Sequence, residues 1–201
     1  KLSVTYEKTG RARKTDKTKE PHFLAAKDKL NLTKRADLLN SMAQPIYGPH
    51  GFRERLVMFW TDHFTTRAKR AVNEGFVSSF VAEAIRPHVA GNFTNMLLAS
   101  TLHPVMLVYL DQNASVGPNS EFGISKSRGL NENLAREVLE LHTLGVAGAY
   151  SQNDVRQLAE LLTGVIGNVQ RELKFVRSRA EPGSETILGK EYGGGLPSID
   201  D

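Results

Sequence analysis

The chain has 201 residues and a mass of 22.2 kDa, with 40% hydrophobic and 24% charged residues. This is the balance of a globular protein of one domain or two small ones, and not of a disordered chain. Cysteine is absent, which excludes disulfides, thiolate zinc sites and cysteine nucleophiles, and no run of about 18 apolar residues offers a transmembrane helix. The net charge of +4 is uneven: residues 1–35 carry 11 Lys/Arg against 4 Asp/Glu, and residues 36–201 carry 15 against 18.

Residues 1–22 read as a basic, poorly ordered segment in which Leu2, Val4 and Tyr6 alternate like a strand edge. The run Arg11-Ala-Arg-Lys-Thr-Asp-Lys-Thr-Lys19 has no aromatic side chain on which bases could stack. A solvated, mobile loop is expected there, and nucleic-acid binding is disfavoured. Both ends of the chain read as cut, so the missing signal peptide does not argue for the cytoplasm.

Residues 23–168 carry a helical period and are expected to form one helical domain. Leu24, Leu30, Leu38 and Leu39 predict one or two helices ending before Gln44-Pro45, and Gly48-Pro49-His50-Gly51 predicts a turn. Helices follow over 52–68, over 74–85 with an end near Arg86-Pro87, over 94–100, and over 104–110 with Pro104 in the first turn. The Gly/Ser/Pro/Asn-rich stretch 112–129 reads as a long loop of the kind that often serves function. A helix over 130–144 stops at Gly145, and Ser151 caps another through about residue 165, with Asp154 at the capping-box position. Residues 169–201 change pattern: Val169, residues 172–176 and residues 186–188 predict two short strands around Glu181-Pro182-Gly183 before a Gly-rich tail. The fold class expected is all-α, a mainly helical array with a small β-hairpin near the C-terminus.

Steps of 100° along the helix beginning at Phe52 bring Phe52, Leu56, Phe59 and His63 into one stripe, with Trp60 beside it. His63 then reads first as a core histidine with a satisfied hydrogen bond, and second as a metal ligand or general base. In the helix 130–144 the apolar stripe is Leu130, Leu134, Val138 and Leu141. Asn133, Glu137 and Glu140 line its edge, with Glu137 half-buried and Arg136 positioned to pair with Glu140. Two carboxylates one turn apart can hold a cation or exchange protons, or form a network that satisfies loop backbone. His142 points away from Glu140, so the two do not chelate one ion. His103, before Pro104, reads as a helix cap before a ligand. No di-iron Glu-x-x-His pair, zincin, nucleophile-elbow or P-loop motif is present.

Phe52-Arg-Glu-Arg-Leu-Val-Met-Phe-Trp-Thr-Asp-His-Phe64, Glu83-Ala-Ile-Arg-Pro-His88, the block from His103 to Asp111, Ser115-Val-Gly-Pro-Asn-Ser120, the block from Gly129 to Val146, Gln152-Asn-Asp-Val155 and Leu162-Thr-Gly164 occur in this order. Together they resemble the bacterial domain-of-unknown-function family 1800 over residues 45–190. The resemblance implies a longer, mostly helical protein, often exported by a twin-arginine signal to the periplasm or cell surface and often encoded beside a second exported, sulfatase-like family. It implies no catalytic residues. Trp60, His63, Asn131, Asn133, Arg136, Glu137, Glu140 and Gly145 stand at its motif positions. Val165 stands where the family usually has Trp, and Ala180 where it often has His. If that His were essential, this chain would be inactive.

Two functions are expected from this. The first is a binding or scaffold protein for a partner protein, such as a second exported protein, or for a cell-surface polymer. The second is a hydrolase using Glu137 or Glu140 with His63, with or without a divalent metal held by the same three residues. Asn131, Asn133, Arg136, Trp60 and His103 are the candidate binding residues. The two readings differ in whether His63 approaches the Asn133/Glu137/Glu140 edge.

Overall fold

The computed structural model describes residues 2–67, 74–167, 172–195 and 197. The chain forms two compact units, residues 1–100 and 101–201, a division that falls inside the stretch expected as one helical domain. The strand position at Val169 and the tail beyond 197 lie outside the described residues.

In the first unit α1 (Leu2–Thr15) packs on α2 (Glu20–Tyr47) across a 3-10 turn at Lys17–Lys19. The Leu2, Val4, Tyr6 alternation is therefore helix and not strand edge. Three alternating residues are a weak pattern, and residues at helical spacing outweigh them. Tyr6, Gly10 and Arg13, at i, i+4 and i+7, all meet Phe23: the Tyr6 ring lies 5.1 Å away, a Cβ on Gly10 would touch it, and the Arg13 guanidinium sits 3.9 Å above it. Arg13 also pairs with Glu20 at 2.9 Å. The basic run 11–19 has regular structure: its first part is α1, and Asp16 accepts from the Thr18 N–H and hydroxyl.

The helix α2 does not stop before Gln44-Pro45. Pro45 lies in its last turn, where the absent N–H removes one hydrogen bond, and Gly48 N–H closes the end on Gln44 O at 2.9 Å. Its buried residues are Phe23 and Leu30.

The next helix, α3 (Gly51–His63), ends five residues before the expected position 68. Phe64 leaves the helix, its N–H bonding Trp60 O, and becomes fully buried. The face of α3 that is buried is also not the one expected. Glu54 and Val57 are buried, whereas Phe52 and Phe59 are 74% and 60% exposed. Glu54 tolerates burial because Arg86 binds it in a fork, with both N···O distances 2.7 Å. Arg86 follows α4 (Glu74–Phe80) and its continuation in a π-helical turn, Val81–Ile85, so the end expected at Arg86-Pro87 is found. The helix α5 is Phe93–Thr101.

The second unit opens with α6 (Pro104–Tyr109), which has Pro104 in its first turn as expected. The stretch 112–129 is not structureless: it holds a 3-10 turn, Gln112–Ala114, and α7 (Glu121–Lys126), capped by Ser120 Oγ on Gly123 N–H. Then come α8 (Asn133–Glu137), which continues as a π-helical turn over Val138–Thr143, and α9 (Gln152–Leu161), whose Ser151/Asp154 capping box is formed as the sequence predicts. Ala135 and Leu139 pack with Val155 and Ala159 of α9 in one buried cluster.

The π-helical turn overturns the expected stripe on 130–144. Leu144 N–H bonds Leu139 O, five residues back, so the turn holds one residue more than the 100° step allows. The buried positions are Leu134, Ala135, Leu139 and His142, while Leu141 is 53% exposed. The helical conformation also starts at Asn133, not at residue 130.

The strands form two antiparallel pairs instead of one hairpin: β1 (Val165–Gly167) with β2 (Leu173–Phe175), and β3 (Ser184–Ile187) with β4 (Lys190–Gly193). Glu181-Pro182-Gly183 joins the pairs and closes neither. The turn of the second pair is Leu188-Gly189, with φ of 51° and 77°, the two-residue turn with positive φ at both positions that matches strand twist. Leucine there hides the turn from sequence, because Asn or Asp is usual. Asp154 Oδ1 accepts from Leu188 N–H at 2.7 Å and holds it.

Candidate functional site

Each residue singled out in the sequence has a definite place. His63, at the end of α3, is half-buried in a ring cluster: Phe64 at 4.7 Å and Trp60 at 5.3 Å are edge-on, with Phe93 at 6.4 Å and Phe59 at 6.5 Å beyond. Trp60 is a member of the same cluster, 5.0 Å from Phe59 and 5.5 Å from Phe93. These neighbours fit the packed-histidine reading.

His103 caps α6, its Nδ1 accepting from Val105 N–H at 3.2 Å. That bond requires a ring lacking a proton on Nδ1. Asn131 is an organiser of local backbone. Its Oδ1 accepts from Asn133 N–H at 3.0 Å, its own N–H donates to Ser115 Oγ at 3.1 Å, and its Nδ2 donates to Asp111 O at 3.4 Å. Asn133 itself begins α8 and is exposed.

Arg136 is directed toward Glu132 (3.0 Å) and Gln152 (3.1 Å), and approaches Glu140 only to 4.0 Å. Gln152 Nε2 donates back to Glu132. This ties the first turn of α9 to the start of α8. Glu137 is half-buried as expected, and its carboxyl is pushed above the ordinary glutamate range, first by burial and then by the neighbouring Glu140 charge. Glu137 and Glu140 thus form a carboxylate pair in which the charge of one disfavours ionisation of the other. His63 belongs to the first unit and the two glutamates to the second. Among the described residues, no three His, Asp or Glu side chains are grouped as a metal centre.

A polar framework that sequence reasoning missed organises the rest of the second unit. Asn113 exchanges two hydrogen bonds with Gly167, both 2.8 Å, and Gln112 Nε2 donates to Leu162 O at 2.7 Å. Arg179 Nη2 donates to Asn113 O at 2.6 Å and Ser115 O at 3.1 Å. Glu181 N–H donates to the buried Thr163 hydroxyl at 2.7 Å, and the Glu181 carboxylate accepts from Asn119 N–H and Nδ2. Gly117 is required here, because a Cβ would lie 2.5 Å from the Glu181 nitrogen. Only the composition of 112–129 hinted at this framework; its partners lie some 50 to 66 residues away in sequence. Val165 and Ala180, where the family resemblance expects Trp and His, are both buried. Ala180 lines a small depression with Thr163, Phe175 and Glu185.

No curated protein and no solved structure matches the chain. The family model described as "Protein of unknown function (DUF1800)" matches residues 5–201. With nearly its whole length inside that match, the chain belongs to the DUF1800 family.

Proposed function

We propose that this protein is an exported binding or scaffold protein that docks a partner protein through one face of α2. The carrying observation is a second apolar stripe on that helix. Phe23 and Leu30 form the buried stripe. Stepping 100° per residue from them, Leu24, Leu32, Leu38, Leu39, Met42 and Ile46 fall within about 120° on another side. All six are 45–68% exposed. A soluble surface rarely strings so many large aliphatic side chains along one line unless another surface covers them. Aliphatic chains without a polar rim of aromatics suit a protein face better than a sugar polymer. Export to the periplasm or cell surface rests on the family resemblance.

The test is site-specific photocrosslinking of the full-length protein in its own cells. A crosslinker at position 39 gives a discrete adduct, and one at the exposed Gln44, about 140° around the same helix, gives none. Equal yields at both positions, or none at 39, would overturn the reading. Cell fractionation that finds the protein in the cytoplasm would overturn the export part.

A hydrolase reading is favoured by one observation, the raised carboxyl of Glu137 beside Glu140. A general acid needs such a carboxyl. Its test is loss of a hydrolytic activity in Glu137→Gln, with elemental analysis of chelator-free protein deciding whether a divalent metal takes part.

A further inference from the structure

Besides Arg177, whose Nε donates to Pro197 O at 3.3 Å, two guanidinium groups of the second unit have no carboxylate partner among the described residues: those of Arg128 and Arg179. Their placement together follows from backbone bonds. Val116 N–H donates to Gly129 O at 3.1 Å, and the next residue, Gly117, donates to Arg179 O at 2.9 Å. The chain at 128–129 and the chain at 179 therefore flank the same two residues. The helix α7 also packs on the 3-10 turn Arg177–Arg179, and Arg179 lies over the ring of Phe122, in the first turn of α7, at 5.6 Å. The two positive groups are close enough that Arg128, after burial, depresses the Arg179 pKa.

Arg179 is only partly satisfied. Nη2 serves the carbonyls of Asn113 and Ser115, Nε is buried without an acceptor, and Nη1 has no protein acceptor among the described residues. The nearest acid in sequence, Glu181, is turned to Asn119 instead. Arg128 is exposed and has no side-chain hydrogen bond or ion pair among the described residues. A half-buried cation facing a second cation is costly, and a bound anion relieves it. Guanidinium forks match the oxygens of phosphate and carboxylate alike, but two positive charges are matched by a dianion.

We propose that Arg128 and Arg179 form a binding site for a phosphate dianion, free or as a monoester. Arg179 is the fixed member, held by the loop carbonyls, and Arg128 is the mobile member that closes on the ligand from solvent.

Isothermal titration of the whole chain with inorganic phosphate, at constant ionic strength, tests this. Saturable one-site binding is expected, with acetate at least tenfold weaker because it brings a single charge. Titration with glycerol phosphate separates the sources: binding as tight as phosphate points to a monoester, and weaker binding to the free ion. Arg128→Gln is expected to lose at least tenfold in affinity while its ligand-free melting temperature holds or rises, since a like charge is removed from Arg179. Arg179→Lys keeps the charge without the fork and is expected to bind more weakly than wild type. Heats no different from chloride at the same ionic strength, or wild-type affinity in Arg128→Gln, would overturn the site.

Discussion

Glu54 and Glu137 are two acidic side chains withdrawn from water to which the fold gives opposite treatment. Glu54 receives a bidentate guanidinium, and its carboxyl falls below the ordinary range, with the Arg86 hydrogen bonds as the largest cause. A lowered carboxyl contributes stability that is present above its unfolded value and is lost as pH falls through the folded one. Glu54→Gln should therefore destabilise by about 3 kcal/mol near neutral pH, the lower end for breaking a buried pair because Arg86 keeps some solvent contact. The gap to wild type should narrow in acid, as read by denaturant melts across pH. Glu137 has no cationic partner among the described residues, and its carboxyl is raised. Here the sign reverses: the native state is favoured below the unfolded value and penalised as pH rises through the folded one. Glu137→Gln should be more stable than wild type at neutral pH and indistinguishable from it in strong acid. A loss of stability in Glu137→Gln at neutral pH would mean that the carboxylate has a cationic partner.

The elements carry the contrast between what sequence makes legible and what it does not. On the segment 133–143 the π-helical turn shifts the register by one residue. Leu139→Ala is expected to cost about 2–5 kcal/mol, as for a buried leucine, and Leu141→Ala within about 0.5 kcal/mol, as for a surface one. A plain α-helical period predicts the reverse. The helical class, the Ser151/Asp154 capping box, Pro104 in its first turn and the stop before Pro87 were all readable, because each depends on residues within four positions of one another. The half-burial of Glu137 was readable too, since it lies before the register shift. His142 was not. The sequence places it only as turned away from Glu140 and outside the apolar stripe, whereas in the structure it is buried. Phe52 and Phe59 were assigned to the core of α3, but Arg86, 32 residues from Glu54 in sequence, turns the charged side inward. The pairing of β3 with β4 escaped for a similar reason: Leu188 adopts a positive φ that leucine disfavours, and only Asp154, 34 residues away, accounts for it. Leu188→Asn should stabilise that pair by about 0.5–1 kcal/mol, because Asn accepts the left-handed region more readily. A melt showing no gain would place the strain elsewhere.

For the whole molecule, each unit presents a different kind of surface. The first offers a long aliphatic line on α2, and the second a polar framework that fixes the loop 112–129 and holds the half-buried Arg179 near the exposed Arg128. Protein docking and anion binding are thus assigned to separate units and fail independently. The aliphatic line is the central claim. Its side chains are exposed, so replacing them with polar residues should leave the fold intact while removing the contact area that an interface needs. The most direct measurement compares the protein with the variant Leu32→Ser, Leu39→Ser, Ile46→Ser against the partner recovered by crosslinking at position 39, in a titration and a thermal melt run side by side. The account predicts a loss of affinity of about a hundredfold or more, roughly 1 kcal/mol for each anchor removed, with an unchanged melting temperature. Unchanged affinity, or a melting temperature lowered by several degrees, would contradict it.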